Sequence, residues 1–278
     1  MNTQLLLIDP QNDFCDLPED WLPRTPALGL TGRPALPVAG AHLDMLRAAA
    51  LVERLGRRLQ GVTVTLDAHH RIDIAHPGFW LDAACDAAPA PFTAITAAQV
   101  RAGAYRPREG AVLDRVLSYL DALEAAGRYT LMVWPVHCQM GSWGQTVHAG
   151  LQATLDRWAD AQGRSVQIVT KGENPWTEHY SALQAEVPDA EDARTQLNRQ
   201  LLAALDQADE LLIAGEAGSH CVKATVEHLV EHLPSGQCGK LVLLRDCISP
   251  VGGFEAAQDA FFAAMQARGL RLALSTDF

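Results

Sequence analysis

The stretch Glu210-Leu-Leu-Ile-Ala-Gly-Glu-Ala-Gly-Ser-His-Cys-Val-Lys-Ala-Thr225 places a short apolar run directly before a helical pattern. The run 210–214 is mostly apolar, which is typical of a parallel strand that is covered on both faces. After Cys221, apolar residues recur at helical spacing. The sequence therefore predicts a strand, a tight turn and a helix in succession, with Ser219 as the helix N-cap.

Cys221 lies in the first turn of this predicted helix. Unpaired backbone N–H groups and the positive end of the helix dipole favour a thiolate there. A helix terminus contributes about 0.3–1 kcal/mol, at most ~2, whereas a free cysteine has a pKa of about 8.5. The dipole alone leaves most of the thiol protonated, so a nucleophile here requires a cation or a base from elsewhere. The alternative is that Cys221 is a small buried hydrophobe, as most free cysteines are.

Further apolar runs alternate with helical patterns along the whole chain. The strand-like runs are 4–8, 62–66, 129–134, 166–170, 210–214 and 241–245. The helical patterns lie near 41–59, 112–127, 144–162, 194–206, 220–232 and 254–268. This alternation predicts an α/β fold with a mainly parallel six-stranded sheet flanked by helices on both faces. A further short strand is compatible with the pattern at 270–274.

Composition narrows the function classes. The chain has 278 residues, of which 48% are apolar, enough for a sizeable core in one domain, 1–278. Its net charge of −11, with no Lys or Arg cluster, argues against nucleic acid as a partner. No apolar stretch reaches membrane-spanning length and no basic leader precedes the first strand pattern, so we expect a cytoplasmic protein with no membrane partner. The six cysteines are neither dense nor paired as in zinc fingers, and we expect reduced thiols. A homo-oligomer is compatible with the sequence.

Chemically active side chains follow three of the predicted strands. Asp9 follows the first strand, Lys171 directly follows the run at 166–170, and Cys221 comes after the run at 210–214. Strand ends on one edge of such a sheet converge at the crevice where ligands bind. Lys171 would then stabilise a Cys221 thiolate, and Asp9 would accept the thiol proton. Taken singly, Asp9 is also explained as a turn residue and Lys171 as a solvated lysine.

A second group of polar residues suggests a metal site. Asp67 and His69 follow the second strand, His76 comes soon after, and His137 follows the run at 129–134. Carboxylate and imidazole ligands suit zinc or ferrous iron, often with an open coordination position. The residues His70 and Asp73 are alternatives to His76. The competing interpretation is a polar loop whose histidines bond to the backbone.

Five segments in order resemble the nicotinamidase/isochorismatase-like cysteine hydrolases, and nicotinamidases most. The segments are Asp-Pro-Gln-Asn-Asp-Phe-Cys (9–15), Leu-Asp-Ala-His (66–69), Trp-Pro-Val-His-Cys (134–138), Lys-Gly (171–172) and Gly-Glu-Ala-Gly-Ser-His-Cys-Val (215–222). The resemblance implies a Rossmann-like three-layer fold, and it supports the roles already suggested for the strand-end and metal-site residues. By the same resemblance, the Glu216–Ala217 peptide is cis, and the backbone N–H groups of Ala217 and Cys221 form an oxyanion hole. The substrate ring would be lined by Phe14, Trp134 and Tyr180.

The resemblance implies an amidohydrolase that cleaves a small carboxamide through a thioester, with nicotinamide as the leading substrate. Alternatives are an amidase for a ureido or carbamoyl substrate and a catalytically silent metabolite-binding protein. The sequence departs from the family pattern at Pro10, at Ser219 and in an insertion at about 77–130. These departures concern the substrate, because the 77–111 segment and the loop at 172–193 could reshape the pocket mouth. Asp13 is expected to hydrogen-bond loop amides near Asp9.

Overall fold

Six parallel strands form the central sheet of the computed structural model, which describes residues 1–25 and 30–278. The strands in chain order are β1 (Thr3–Ile8), β2 (Arg24–Thr25), β3 (Leu30–Thr31), β4 (Leu59–Asp67), β5 (Trp80–Asp82), β6 (Thr93–Ile95), β7 (Tyr105–Pro107), β8 (Leu131–Val133), β9 (Gln167–Lys171), β10 (Glu210–Gly215), β11 (Leu241–Leu244) and β12 (Arg271–Ala273). The central sheet has the order β12-β11-β10-β1-β4-β9, and every neighbouring pair in it is parallel. The short pairs β2–β3, β5–β7 and β6–β8 are antiparallel.

Helices complete a three-layer α/β fold, as the sequence predicts. They are α1 (Ala41–Leu55), α2 (Ala97–Arg101), α3 (Leu113–Ala126), α4 (Ala149–Gln162), α5 (Arg199–Asp206), α6 (Cys221–His232) and α7 (Glu255–Ala267). Helix α1 contacts α4, and α6 contacts α7. No helix among the described residues is both long and apolar enough to cross a membrane.

The central strands are buried because their apolar runs are covered on both faces. Every residue of β10 is buried, and so are five of the six residues of β1. Strand β9 lies at the sheet edge and is mostly accessible, but its last residue, Lys171, is buried. The registers pair Ile8 with Gly215 and Asp67 with Lys171. The carboxyl ends of β1, β4, β9 and β10 therefore meet at one edge of the sheet.

Gly215 is required where β10 leaves the sheet. Its φ is +121°, and a Cβ at this position would lie 1.9 Å from the carbonyl oxygen of Ile8. Any larger residue would push β10 away from β1 at the point where the chain turns towards Cys221.

The predicted strand at 129–134 is wrong in its pairing. Residues Leu131–Val133 form β8, which pairs with β6 in a separate two-stranded sheet, and the sixth strand of the central sheet is β12. An apolar run shows that a strand is buried but not which strand is its partner. Leu131 and Val133 pack into a second, smaller core with side chains of the 77–130 segment, including Trp80, Ile95 and Leu120. Division of the chain into domains stays a prediction.

Two helices start later than the apolar pattern predicts. Helix α4 begins at Ala149 and α5 at Arg199, where the patterns suggested 144 and 194. Both starts follow capping residues: His148 accepts a hydrogen bond from the Leu151 N–H, and Asn198 accepts one from that of Leu201. The caps determine where each helix begins.

Candidate active site

The carboxyl edge of the sheet brings Asp9, Lys171 and Cys221 together. The Lys171 ammonium nitrogen lies 2.9 Å from Asp9 Oδ2 and 3.6 Å from the Cys221 sulfur. A second carboxylate, Asp67 Oδ1, lies 3.0 Å from the same ammonium. All four residues are buried. The predicted acid, cation and thiol thus form one contiguous group.

Thr65 holds the Asp9 carboxylate in place and was missed in the sequence. Its hydroxyl donates to Asp9 Oδ1 at 2.6 Å, which leaves Oδ2 for Lys171. Thr65 is an ordinary β4 residue in the sequence, and only the pairing of β4 with β1 brings it to Asp9. The Asp9 backbone, with φ +46°, turns out of β1 immediately after the strand ends.

Burial and charge set the protonation of the triad. Burial would lower the pKa of Lys171, but the carboxylates of Asp67 and Asp9 raise it well above its usual value. Burial raises the pKa of Asp9, which makes it a stronger base than an exposed carboxylate. Burial also raises the pKa of the Cys221 thiol well above its ordinary value, although the Lys171 cation opposes this.

The helix terminus does not ionise Cys221, as expected from the small size of the dipole effect. Two carboxylates lie near the thiol against one ammonium, so burial and net negative charge outweigh the helix dipole. A thiol with a raised pKa needs a base before its sulfur can act as a nucleophile. The Asp9 carboxylate, which shares the Lys171 ammonium with Cys221, lies where such a base is required.

The turn before α6 carries two backbone donors. The Glu216–Ala217 peptide is cis, which confirms the expectation from the sequence. Within residues 1–25 and 30–278, the amide N–H groups of Ala217 and Cys221 have no hydrogen-bond acceptor. Free amides at the start of a helix, beside the thiol, can bind an oxyanion.

Ser219 is not the N-cap of α6. The N-cap is His220, whose side chain makes no capping hydrogen bond. The Ser219 hydroxyl instead accepts from the Val251 N–H at 3.1 Å and lies 2.9 Å from His220 Nδ1. This tertiary contact takes the serine away from the helix end.

Three histidines and one aspartate form a second cluster beside the triad. The ligand atoms of His69, His76 and His137 lie within 4.8 Å of one another. Asp67 Oδ2 lies 3.1 Å from His69 Nε2 and 3.5 Å from His137 Nε2. All four predicted metal ligands are buried and adjacent.

The tautomers of the three imidazoles suit metal binding. Each Nδ1 contacts an oxygen that can accept a hydrogen bond, so the tautomer with its proton on Nδ1 would leave the Nε2 lone pair available to a metal ion. The contacts are His69 Nδ1 to Asp73 Oδ2 at 3.0 Å, His76 Nδ1 to the His70 carbonyl at 3.1 Å and His137 Nδ1 to the Pro135 carbonyl at 2.8 Å. The alternative candidates Asp73 and His70 contact the rings of His69 and His76 and lie outside the cluster of ligand atoms. The donor set fits zinc or ferrous iron.

A narrow cavity opens over Cys221. The predicted ring-binding residues Phe14, Trp134 and Tyr180 all line it, and the Trp134 indole N–H donates to the Tyr180 hydroxyl at 3.1 Å. The space open to the centre of a water molecule is about 20 Å³. Aromatic side chains therefore line a cavity with little free space over Cys221.

Glu178 and His220 also line this cavity, and neither was singled out in the sequence. Glu178 Oε1 accepts from the His179 N–H, whereas Oε2 has no partner among the described residues. Burial raises the pKa of Glu178 to about 7. His220 packs edge-on against Trp134, and burial lowers its pKa to about 4. Both residues lie in irregular segments, where no periodicity indicates which way a side chain points.

Asp13 has the structural role expected for it. Its Oδ1 accepts from the Ala35 N–H at 3.0 Å, and its Oδ2 accepts from the Cys138 N–H at 2.7 Å. The residue fixes the backbone beside His137 and does not contact the triad lysine.

The fold is that of solved nicotinamidases and pyrazinamidases, at low sequence identity. The yeast nicotinamidase is 20% identical, with a TM-score of 0.62 over 98% of this chain and 99% of that one. A Leishmania infantum protein in complex with nicotinate is 19% identical, with a TM-score of 0.57 over 99% and 93%. The pyrazinamidase of Pyrococcus horikoshii in complex with zinc is 16% identical, with a TM-score of 0.56 over 99% of each chain. No protein-family model and no curated protein matches the sequence.

Proposed function

We propose that this chain is a cysteine-dependent amidohydrolase that cleaves a small planar carboxamide, with nicotinamide as the leading substrate. One observation carries the proposal: the Lys171 ammonium contacts both Asp9, at 2.9 Å, and the Cys221 sulfur, at 3.6 Å. This geometry supplies a base, a cation and a nucleophile within reach of one carbonyl carbon. The fold shared with nicotinamidases supports the proposal.

In the first half of the reaction, Cys221 loses its proton to Asp9 as the sulfur attacks the amide carbon. Lys171 stabilises the developing thiolate, and the Ala217 and Cys221 amides bind the oxyanion. The C–N bond then breaks, and the leaving nitrogen takes the proton from Asp9 and departs as ammonia. The product is a thioester on Cys221.

In the second half, water attacks the thioester carbon and Asp9 accepts a proton from it. The C–S bond breaks, the carboxylic acid leaves, and the proton returns to the sulfur. The same oxyanion donors serve both steps. The buried thiol therefore ends in the protonated form in which it started.

The proposal includes a divalent metal, zinc or iron, held by His69, His76, His137 and Asp67. Such an ion would supply an open coordination position that orients a ring nitrogen of the substrate. The zinc bound by the Pyrococcus horikoshii pyrazinamidase supports this part of the proposal. The chain itself lines the cavity over Cys221 with Phe14, Trp134 and Tyr180, against which a planar substrate ring would pack.

An ammonia-release screen over nicotinamide, pyrazinamide, and ureido and carbamoyl compounds tests the function. We expect turnover of the planar heteroaromatic amides, because Phe14, Trp134 and Tyr180 line the cavity over Cys221. Elemental analysis of the purified protein is expected to find zinc or iron. Turnover of ureido compounds alone would contradict the proposed substrate class, and release of ammonia from none of them would contradict the amidase function.

Replacing His76 by alanine is expected to weaken binding of zinc by about 100-fold or more, because loss of an outer contact alone weakens binding 10–100-fold. The measurement is a competition titration of stripped protein against a chelating dye. The matched control is His70→Ala, because His70 is exposed and holds His76 only through its backbone carbonyl. Equal affinity of the two variants would show that His76 is not a ligand.

A further inference from the structure

A second buried pair of acids, Glu216 and Asp44, lies behind the turn that carries Cys221. Glu216 directly precedes Ala217 and is 0% exposed, and Asp44, in the first turn of α1, is 3% exposed. Neither carboxyl has a role in the proposed reaction. Buried acids are rare unless they are paired, so this pair requires an explanation.

Ser249 joins the two acids to each other and to the turn. Its N–H donates to Glu216 Oε2 at 3.3 Å, and its hydroxyl donates to Asp44 Oδ2 at 2.6 Å. Its carbonyl accepts from the Gly218 N–H at 2.9 Å. Both carboxyls therefore contact one residue, and that residue holds the turn on either side of Ala217.

The charges around the pair do not allow two carboxylates. Arg47 lies 2.9 Å from Asp44 Oδ1, but the Asp16 carboxylate adds negative charge, and the nearby Cys15 and Cys247 thiols are buried and bring no positive charge. Glu216 Oε1 has no partner within residues 1–25 and 30–278. Burial raises the pKa of Glu216 well above its usual value, and the negative charge of Asp44 is the second largest cause. The Glu216 and Asp44 side chains lie within hydrogen-bonding reach of each other, so a proton on one carboxyl can be donated to the other.

We infer that Glu216 and Asp44 share one proton and, with Ser249, form a positioning pair that holds the Ala217 and Cys221 amides in place. Glu216 is a positioning residue, since it acts through the backbone and does not contact the reacting atoms. Its effect on turnover rests on the proposed amidase function, whereas the shared proton does not. The two parts can be tested separately.

The shared proton fixes the sign of a pH effect on stability. An unfolded glutamate has a pKa of about 4.3 and releases its proton above that pH, whereas the folded chain retains it. Folded protein therefore binds more protons than unfolded protein, and stability falls as the pH rises from the unfolded pKa towards the raised folded pKa. A glutamine at 216 cannot titrate, so Glu216→Gln removes this contribution.

The first experiment compares wild type with Glu216→Gln by infrared spectroscopy at neutral pH and by urea unfolding at pH 5 and pH 8. The wild-type spectrum is expected to contain the C=O stretch of a protonated carboxylic acid, which the variant lacks. The wild type is expected to lose more stability than the variant between the two pH values. No difference in that band, or equal pH dependence, would overturn the shared proton, whether or not the chain hydrolyses any amide.

The second experiment measures kcat and KM for whichever amide the ammonia screen identifies. Glu216→Leu leaves Asp44 and the Ser249 N–H without their partner, and we expect kcat to fall by about 10–100-fold with little change in KM. Glu216→Gln is expected to recover most of this loss, because its amide donates to Asp44 and accepts from Ser249. Equal kcat in the Leu variant and the wild type, or a Gln variant as slow as Leu, would overturn the positioning role. If Glu216→Leu does not fold, the test uses the kcat of Glu216→Gln alone, which is expected to stay close to the wild-type value. A kcat about 10–100-fold below wild type would overturn the positioning role.

Discussion

Replacement of Cys221 by alanine is expected to lower kcat for ammonia release by about 10⁴-fold or more, because the sulfur forms the covalent bond to substrate. Among the described residues, no other nucleophilic side chain contacts Lys171 beside the free amides, so none can take the place of the Cys221 sulfur. Denaturation midpoints should change little, since the site accepts a smaller side chain at its open face. The measurement is steady-state ammonia release from the substrate that the screen identifies.

Cys238→Ala is the control for this experiment. Cys238 is a half-buried free thiol whose only hydrogen-bond contact among the described residues is a 4.0 Å approach to the Val230 carbonyl, so its removal should leave kcat unchanged. Intact-mass measurement during turnover should detect an acyl adduct on wild type and none on Cys221→Ala. Ammonia release by Cys221→Ala at the wild-type rate would rule out the thioester mechanism.

Replacement of Lys171 by methionine is expected to have the largest effect on stability, about 3–5 kcal/mol. The substitution leaves Asp9 and Asp67, at 2.9 Å and 3.0 Å from the ammonium, as buried carboxylates without their cation. The free energy of unfolding by urea measures the loss. The difference from wild type should shrink as the pH falls, because protonation neutralises the two carboxylates.

Lys223→Met is the matched control for Lys171→Met. Lys223 is on α6 and pairs with Glu227 at 3.5 Å near the surface, where such a pair contributes about 0–1 kcal/mol. An equal loss of stability in the two variants would show that the Asp9–Lys171–Asp67 arrangement has no special energetic role.

The positions of the triad could be predicted because each member directly follows an apolar run. Asp9 and Cys221 follow runs that fold as central strands, and Lys171 ends β9, so the rule that parallel strands end on one edge was sufficient. The strand that precedes His137 was misplaced by the same reasoning. Its apolar run is as strong as the others, but pairing partners depend on tertiary contacts with the 77–130 segment.

The segment around Cys221 predicted a thiol that stays mostly protonated, but not how strongly its surroundings raise its pKa. The helix terminus is visible in the sequence, whereas the two carboxylates that oppose ionisation come from β1 and β4. Thr65 and Glu178 were missed for a related reason. A threonine in a strand and a glutamate in a loop have no pattern that distinguishes them until the fold brings them to the site.

Because β8 pairs outside the central sheet, the two sides of the site are held by different parts of the fold. The acid, cation and thiol lie at the carboxyl edge of the central sheet, whereas Trp134 and His137 follow β8, which packs Leu131 and Val133 into the second core. We expect substitutions at Ile95 or Leu120 to act on the cavity through the β8 backbone, because Trp134 itself packs in the main core with Cys221. We therefore expect substitutions in the second core to alter which molecules the cavity admits, with Asp9, Lys171 and Cys221 unchanged.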